Sequence, residues 1–296
     1  MGIRDDIKRI FTNGTTLTRL ILINTALFLL LTIAGITGFL LNSPDISSKV
    51  LNLFSVPSDL KSLFLRPWTI ITYMFTHKDI WHILFNMLWL YWFGNIFISY
   101  LGQRKLVSVY ILGGILGAVV FVASFNIFPA FAEVVNESVA IGASASVMAV
   151  VIAIAAYVPD YSVYLFLLGR IKIKYVALGI FILTSILDFS TNSGGKLAHM
   201  GGALAGYLYT SSLRRGYEMG KWINASIDAV TALFKPRKKM RVTYKRAADD
   251  LEYNRKKAEN QARINTILDK ISKAGYDSLT KEEKDLLFSE SQRKNR

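Results

Sequence analysis

Cysteine is absent from the 296 residues, and histidine occurs only three times. Without cysteine the chain has no disulfides, no thiolate metal sites and no cysteine nucleophile. Hydrolytic chemistry would therefore need serine, threonine, a carboxylate or a metal held by other ligands. The histidines, His77, His82 and His199, do not form a His-Glu-x-x-His motif. Zinc protease chemistry is thus a weak alternative, and we expect neither a metal nor a cofactor.

Charged residues are also missing from several runs that are long enough to cross a bilayer. Hydrophobic residues make up 52% of the chain, and a spanning helix needs roughly 20 apolar residues. A polar segment at 1–16 precedes the first run. The sequence predicts an all-α fold in which residues 17–213 form a polytopic membrane bundle. Its six transmembrane helices are expected at 17–40, 81–99, 106–127, 140–158, 173–189 and 197–212.

Cationic side chains are scarce in two loops at one end of the predicted bundle, 126–138 and 190–196, whereas the long first loop at the same end contains Lys49, Lys61, Arg66 and Lys78 and is expected to lie along the interface. The loop at 126–138 has no lysine or arginine, and it contains Glu133 and Glu137. Lysines and arginines instead lie beside the start of the first span, in the loop between the second and third spans, and just before the fifth span. Because these residues favour the cytoplasmic side, we expect both termini in the cytoplasm, as in a multi-pass protein of the bacterial inner membrane.

The remaining residues, 214–296, form a basic tail with 21 lysines and arginines against 12 acidic residues. The cluster at 237–241 suits an anionic cytoplasmic leaflet, and nucleic acid binding is an alternative that we do not favour. Helical spacing from Ile264 to Ile271 and a capping-box pattern at 280–283 predict two short amphipathic helices. We interpret the tail as a cytoplasmic appendage without chemistry, which contacts anionic lipid or an unknown cytoplasmic partner.

Polar residues inside the predicted spans occur in three places. His82 and Asn86, four residues apart, share one face of the second span. Ser144 lies in a stretch of small residues at the beginning of the fourth span, and His199 lies on a small-residue stripe in the sixth. Such side chains are costly in hydrocarbon, so those present mark either helix contacts or a functional site.

Each of these features by itself is more typical of helix packing than of chemistry. Serine in an apolar helix usually hydrogen-bonds to its own backbone, and small residues often mark helix contacts. Together, however, a nucleophile, a base and a pair of neutral donors are the minimal parts for acyl transfer. A transporter would more often show paired acidic residues or internal repeats, and neither is visible in this sequence.

Over about residues 17–212, the sequence resembles the rhomboid family of intramembrane serine proteases. That family carries a Gly-x-Ser motif on its fourth core span and a catalytic histidine on its sixth. The resemblance implies a six-helix core, a water-accessible cavity and transmembrane proteins as substrates. The matching residues are Gly142 and Ser144 for the nucleophile motif, His199, Gly202 and Gly206 for the histidine motif, and His82 and Asn86 for the oxyanion pair.

These residues predict a serine endopeptidase in which Ser144 is the nucleophile and His199 is the general base and acid. Asp188 is poorly placed as a third member, so we expect a dyad. Ser146 competes with Ser144 for the nucleophile role, but it lies about 200° around the helix and lacks a glycine two residues before it. The Ser144 N–H and the N-terminal end of its helix would add to the oxyanion site.

Three positions depart from the family pattern, at Thr69, Ile98 and Met148. Met148 replaces an aromatic residue that stacks on the catalytic histidine in some members, and His77 resembles a structural loop histidine of the family. We expect these departures to affect the rate of the reaction more than its mechanism. The alternative is an inactive or catalytically weak relative that binds membrane clients.

Overall fold

The computed structural model describes residues 14–43, 45–165, 169–234 and 248–293. Two compact units divide the chain, one up to residue 235 and the other from residue 236 onward. Most of the predicted N-terminal segment at 1–16 lies outside the described residues, and so does the basic cluster at 237–241. The first unit contains the predicted bundle, and the second contains the two predicted tail helices.

Helices dominate the first unit, and six of them overlap the predicted spans. In chain order the helices are α1 (Thr16–Leu40), α2 (Asp45–Phe54), α3 (Leu60–Leu65), α4 (Thr69–Thr72), α5 (Ile80–Leu101), α6 (Gln103–Ile127), α7 (Ser144–Tyr157), α8 (Ile173–Ser185), α9 (Ser193–Arg214) and α10 (Lys221–Phe234). Among the described residues, α1, α5 and α6 are long and apolar enough to cross a membrane, whereas α7 and α8 are apolar but shorter. The count of six spans therefore stays a prediction.

Two short antiparallel sheets accompany the helices, and the all-α prediction did not include them. Strand β1 (Val56–Pro57) pairs with β2 (Val139–Ala140). Strand β3 (Ser162–Leu165) pairs with β4 (Gly169–Lys172), between α7 and α8. The first sheet joins the loop after α2 to the segment just before α7, so it fixes the approach to the N-terminal end of α7.

Two helices begin four residues away from the predicted spans, for local reasons. Helix α7 begins at Ser144 instead of residue 140, because residues 139–140 are paired in a strand. Helix α9 begins at Ser193, ahead of the predicted 197. The side chain of Asn192 accepts a hydrogen bond from the N–H of Gly195 at 3.2 Å, and this cap allows polar residues to form the first turn.

Small residues allow the three central helices to approach one another to backbone contact. A Cβ atom on Gly202 would overlap the carbonyl oxygen of Ala145, and one on Gly206 would overlap that of Ala149. Because lipid tails leave little hydrophobic force between helices, such close packing stabilises membrane bundles. The contacts join Gly113 and Gly117 on α6, Ala145 and Ala149 on α7, and Gly202 and Gly206 on α9.

The first unit continues beyond α9. Helix α10 packs against the beginning of α6, where Ser108 Oγ donates a hydrogen bond to the Gly220 carbonyl at 3.1 Å. The same hydroxyl accepts a hydrogen bond from Asn224 Nδ2 at 2.9 Å. The domain boundary expected at residue 213 therefore lies inside a compact unit that extends to residue 235.

The second unit is a helical hairpin made of α11 (Ala248–Ala274) and α12 (Lys281–Arg293). The capping box forms as predicted: Glu283 accepts from the Thr280 N–H at 2.8 Å, and Thr280 Oγ1 accepts from the Glu283 N–H at 3.4 Å. Ile267 and Leu279 are buried, and Lys270 pairs with Glu283 at 3.0 Å. Buried apolar residues on both sides of the turn and the Lys270–Glu283 ion pair therefore support the hairpin.

We expect Gly202→Ala to destabilise the bundle, because its Cβ atom would push α9 away from the Ala145 carbonyl. The loss should be about 1–3 kcal/mol of unfolding free energy, which is typical of overpacking, and a lower apparent melting temperature in detergent would reveal it. Gly179→Ala on α8 is the matched control, since nothing lies within 4 Å of its Cβ position and alanine favours helix. Equal melting temperatures for the two variants would contradict the packing argument.

Candidate active site

A cavity of about 850 Å³ lies among α5, α7, α8 and α9. Its lining combines aromatic side chains with a few polar groups, which is typical of ligand and substrate sites. The four residues of the predicted chemistry all line this cavity. They are His82 and Asn86 from α5, Ser144 from α7 and His199 from α9.

Ser144 is the first residue of α7, and within the described part of the chain no side chain caps this end of the helix. The first N–H groups of an α-helix have no partner within the helix, and the aligned peptide dipoles give this end a partial positive charge. A negative charge that forms beside Ser144 would therefore meet free N–H donors. The helix start places the hydroxyl where acyl-transfer chemistry needs electrostatic support.

Ser146, the competing serine, faces a neighbouring helix instead of the cavity. Its side chain is fully buried, and its Oγ lies 2.8 Å from the Cβ position of Gly114 on α6. Ser144, in contrast, lines the cavity. The geometry therefore separates the two serines, and Ser146 belongs to the contact between α6 and α7.

Gly142 occupies a position that only glycine fits. Its φ angle is +118°, in a region that residues with a Cβ atom rarely adopt. A Cβ atom there would also lie 2.7 Å from Nε2 of His82 and 3.7 Å from Oγ of Ser144. Its N–H donates to the carbonyl of Tyr73 at 2.9 Å, so the backbone passes tightly between the first loop and the His82 ring.

His82 and Asn86 lie one turn apart on α5, as their spacing predicted. Asn86 is 7% exposed, and its Nδ2 donates one hydrogen bond to the His82 carbonyl at 2.8 Å. An amide NH₂ carries two donors, so the second remains available toward the cavity. The His82 ring packs edge-on against His77, with ring centroids 5.0 Å apart, and this contact orients its imidazole.

His77 connects the first loop to the segment before Ser144. Its side chain is buried, and its Nε2 accepts a hydrogen bond from the Ala143 N–H at 3.4 Å. Burial, and next the nearby His82 imidazole, lowers the pKa of His77 from 6.5 to about 4. The ring is therefore neutral at physiological pH, and it can keep accepting this bond. His77 acts on the site by positioning the turn that leads into α7.

His199 has a backbone partner that side-chain motifs did not reveal. Its Nδ1 lies 3.1 Å from the carbonyl oxygen of Thr184, close to the end of α8 at Ser185. The last carbonyls of a helix lack partners within the helix, and that end carries a partial negative charge. An Nδ1–H donated to this carbonyl leaves Nε2 unprotonated, as a general base requires. The sequence indicates this backbone partner only through the predicted end of a short apolar helix.

Gly202 and Gly206 influence the site through the helix backbones. Ala145, which contacts Gly202, directly follows Ser144, and Gly202 lies three residues after His199. The close contact between α7 and α9 therefore falls at the level of the cavity. It sets how near the helix of Ser144 lies to that of His199.

The remaining residues singled out in the sequence have different surroundings. Met148 is buried and lines the cavity, Thr69 is buried in the first loop, and Ile98 is partly buried against the core. Asp188 lies outside the cavity lining, and its carbonyl accepts a hydrogen bond from Lys196 Nζ. The position of Asp188 therefore does not support it as a third catalytic residue beside Ser144 and His199.

These features define a helical membrane protein whose bundle encloses a cavity with a serine at a helix start. The rhomboid domain family model matches residues 65–216. The chain belongs to the rhomboid family and is an integral membrane protein. The match confirms the resemblance drawn from the Gly-x-Ser and histidine motifs.

A curated relative is the RHOMBOID-like protein 12, mitochondrial, of Arabidopsis thaliana, which is 29% identical over 163 residues. The match covers 51% of this chain and 48% of the relative, so the chain spans about half the length of that relative. A second family model, a family of unknown function (DUF6576), matches residues 249–293. That region contains the hairpin of α11 and α12.

Because His77 has a pKa of about 4 in the folded protein, we expect it to make folding stability depend on pH. The unfolded chain binds more protons than the folded one between about pH 4 and 6.5, so stability should fall as the pH drops through this range. Melting temperatures measured across this range test the effect. In His77→Gln, which can still accept from Ala143 but does not titrate, the decline should be shallower, and an unchanged decline would exclude His77 as a source.

The contact between His199 and Thr184 predicts the tautomer of the neutral imidazole. Nitrogen NMR of isotopically labelled histidine should give a signal for His199 with Nδ1 protonated and Nε2 bare. The chain has three histidines, so spectra of His77→Gln and His199→Gln would assign the signals. A neutral His199 with its proton on Nε2 would mean that the Thr184 carbonyl does not orient the ring.

Proposed function

We propose that the protein is an intramembrane serine endopeptidase that uses a dyad of Ser144 and His199. The observation that carries this proposal is that both residues line one cavity, with Ser144 at an uncapped helix start. Membership of the rhomboid family supports the same activity. Neither a metal nor a cofactor enters the proposed chemistry.

The first step forms an acyl-enzyme. Ser144 Oγ attacks the carbonyl carbon of the scissile bond while its proton passes to Nε2 of His199. The imidazolium, whose Nδ1–H points to the Thr184 carbonyl at 3.1 Å, then protonates the leaving amine. The C–N bond breaks, and the acyl group remains on Ser144 as an ester.

The negative charge of the tetrahedral intermediate needs preorganised donors. We assign this role to the free amide N–H of Asn86, to His82 and to the backbone N–H of Ser144. The N-terminal end of α7 adds a favourable partial charge. These donors come from two helices that the Gly142 turn and the first loop hold in place, so they need little rearrangement during the reaction.

The second step releases the acyl group with water. A water molecule attacks the ester carbonyl and gives a proton to His199, and Ser144 leaves as its oxygen takes that proton back. Water needs a route to the site, and polar residues such as Asp79 and Asn192 lie in the cavity lining. We therefore assign to this cavity the access of water that the surrounding hydrocarbon does not allow.

The proposed substrates are transmembrane segments of other proteins. An extended scissile segment has unpaired backbone groups, so segments with glycine, proline or other helix-weakening residues should be cut best. In the proposed topology six spans place both termini in the cytoplasm, because the cations lie at that end. The bacterial inner membrane fits this arrangement.

A second candidate function is that of a weak or inactive rhomboid relative that binds membrane clients. Met148 favours this reading, because it lines the cavity where some family members have an aromatic residue against the histidine. The presence of both Ser144 and His199 favours the protease. Cleavage measurements with matched variants separate the two.

We expect Ser144→Ala and His199→Ala to lower cleavage of a single-span model substrate in proteoliposomes by roughly a thousandfold or more, because each removes a reacting group. Ser146→Ala is the matched control, since it makes the same change on the same helix outside the cavity, and it should keep most of the activity. A fluorophosphonate probe should label the native chain but not Ser144→Ala.

Persistent cleavage by Ser144→Ala would rule out Ser144 as the nucleophile. Loss of cleavage in Ser146→Ala with retention in Ser144→Ala would transfer the role to the other serine. Absence of cleavage and of probe labelling in every form, with native melting behaviour, would favour the client-binding function.

A further inference from the structure

Helix α10 docks on the bundle through its polar edge. Asn224 Nδ2 donates to Ser108 Oγ at 2.9 Å, and Asp228 forms an ion pair with Arg104 at 3.2 Å. Ser108 and Arg104 both belong to the beginning of α6. These contacts fix one side of α10 against the end of a membrane-spanning helix, so the rotation of α10 about its own axis is defined.

The apolar side of α10 points away from the protein. Trp222 is 55% exposed, Val230 54% and Leu233 82%, and on a helical projection they lie within about 80° of one another. Ile223, at the edge of this arc, is buried at 4% exposure. The helix thus exposes its apolar face and buries part of its polar face, whereas a surface helix of a soluble protein buries its apolar face.

We propose that α10 is an interfacial helix, whose exposed apolar face lies in the headgroup and acyl boundary of an anionic leaflet. Helices of this kind combine an apolar face, a polar face and low overall hydrophobicity, and they lie in the plane of the membrane. Trp222 and Tyr217 are of the residue types that accumulate at that depth, and Tyr217 is 68% exposed.

The depth of α10 follows from its partner on α6. Ser108 lies five residues after the helix start at Gln103, which corresponds to about 7.5 Å along the helix axis. The 25 residues of α6 have a length of about 37 Å, more than the roughly 30 Å hydrocarbon core. The first turns of α6 therefore lie near the membrane surface, and α10 lies at the same level.

The connection to α9 keeps α10 at this surface. Helix α9 ends at Arg214, where Gly216 adopts a φ of +81° and the Tyr217 N–H donates to the Ser212 carbonyl at 3.0 Å. The segment from 215 to 220 limits the distance between the end of α9 and the start of α10 to about 25 Å, since each residue spans at most about 3.6 Å.

The charged residues next to α10 in the sequence favour an anionic leaflet, in preference to a second protein, as the partner of its apolar face. In the sequence, residues 235–246 directly after the helix contain seven lysines and arginines and no acidic residue. Lys221 is the first residue of α10. The acidic residue of the helix, Asp228, forms an ion pair with Arg104 on the side that packs against α6. Basic residues that adjoin a membrane-surface helix in the sequence favour acidic headgroups.

Single nitroxide labels can test the orientation, because the native chain has no cysteine. Val230→Cys places the label on the apolar arc, and Ala232→Cys is the matched control, since it is also exposed but lies about 200° away around the helix. The full chain would be reconstituted in vesicles of zwitterionic lipid, with and without an anionic phospholipid. Power saturation then compares access of oxygen, which partitions into lipid, with access of a water-soluble nickel chelate.

In anionic vesicles we expect the ratio of oxygen access to chelate access to be severalfold higher at Val230 than at Ala232. The difference should shrink without anionic lipid. Equal ratios at both positions in anionic vesicles would overturn the interfacial placement, and an unchanged difference without anionic lipid would overturn the role of charge. Shielding of the Val230 label from both reagents would mean that protein covers this face, and dipolar broadening between labels would identify a second copy.

Discussion

Backbone contact between α7 and its two neighbours is the constraint on which the rest of the bundle depends. Ala145 and Ala149 meet glycines on both α6 and α9, and any added Cβ atom on those glycines would force the helices apart. In a bilayer this packing replaces much of the hydrophobic force that joins helices in water. The same contact sets the site, because Ala145 follows Ser144 and Gly202 comes one turn after His199. Stability and the geometry of the cavity therefore depend on the same small residues.

A helix start suits the proposed chemistry, because a membrane interior offers few other places where a developing negative charge is stabilised. Hydrocarbon penalises unpaired polar groups strongly, whereas the beginning of α7 has free N–H groups that face a cavity. The strand pair before this helix and the Gly142 turn stop the helix from starting earlier. His77 then supports the turn through the Ala143 N–H. The loop and the sheet thus serve to expose one helix end.

The helices and the polar residues of the cavity could be predicted from the sequence, since both have local signals. Apolar runs of the right length predict the helices, and spacing predicts that His82 and Asn86 share a face. The sequence did not predict the pairing of residues 56–57 with 139–140, the helix starts at Ser144 and Ser193, or the docking of α10. These features depend on contacts between distant segments and on backbone groups, which leave no side-chain pattern in the sequence.

The Thr184 carbonyl offers a physical reason why the proposed dyad would suffice without a third residue. A carboxylate third member would orient the imidazole and stabilise its charged form, but burying that carboxylate near the bilayer would be costly. A carbonyl at the end of α8 is neutral, already present and favourably directed, and the helix dipole adds a partial negative charge beside the ring. Its attraction for an imidazolium is weaker than that of a full charge. If His199 is the base as proposed, its contact with a helix end would therefore stabilise the charged intermediate less than a carboxylate would, but the site would need no buried acid.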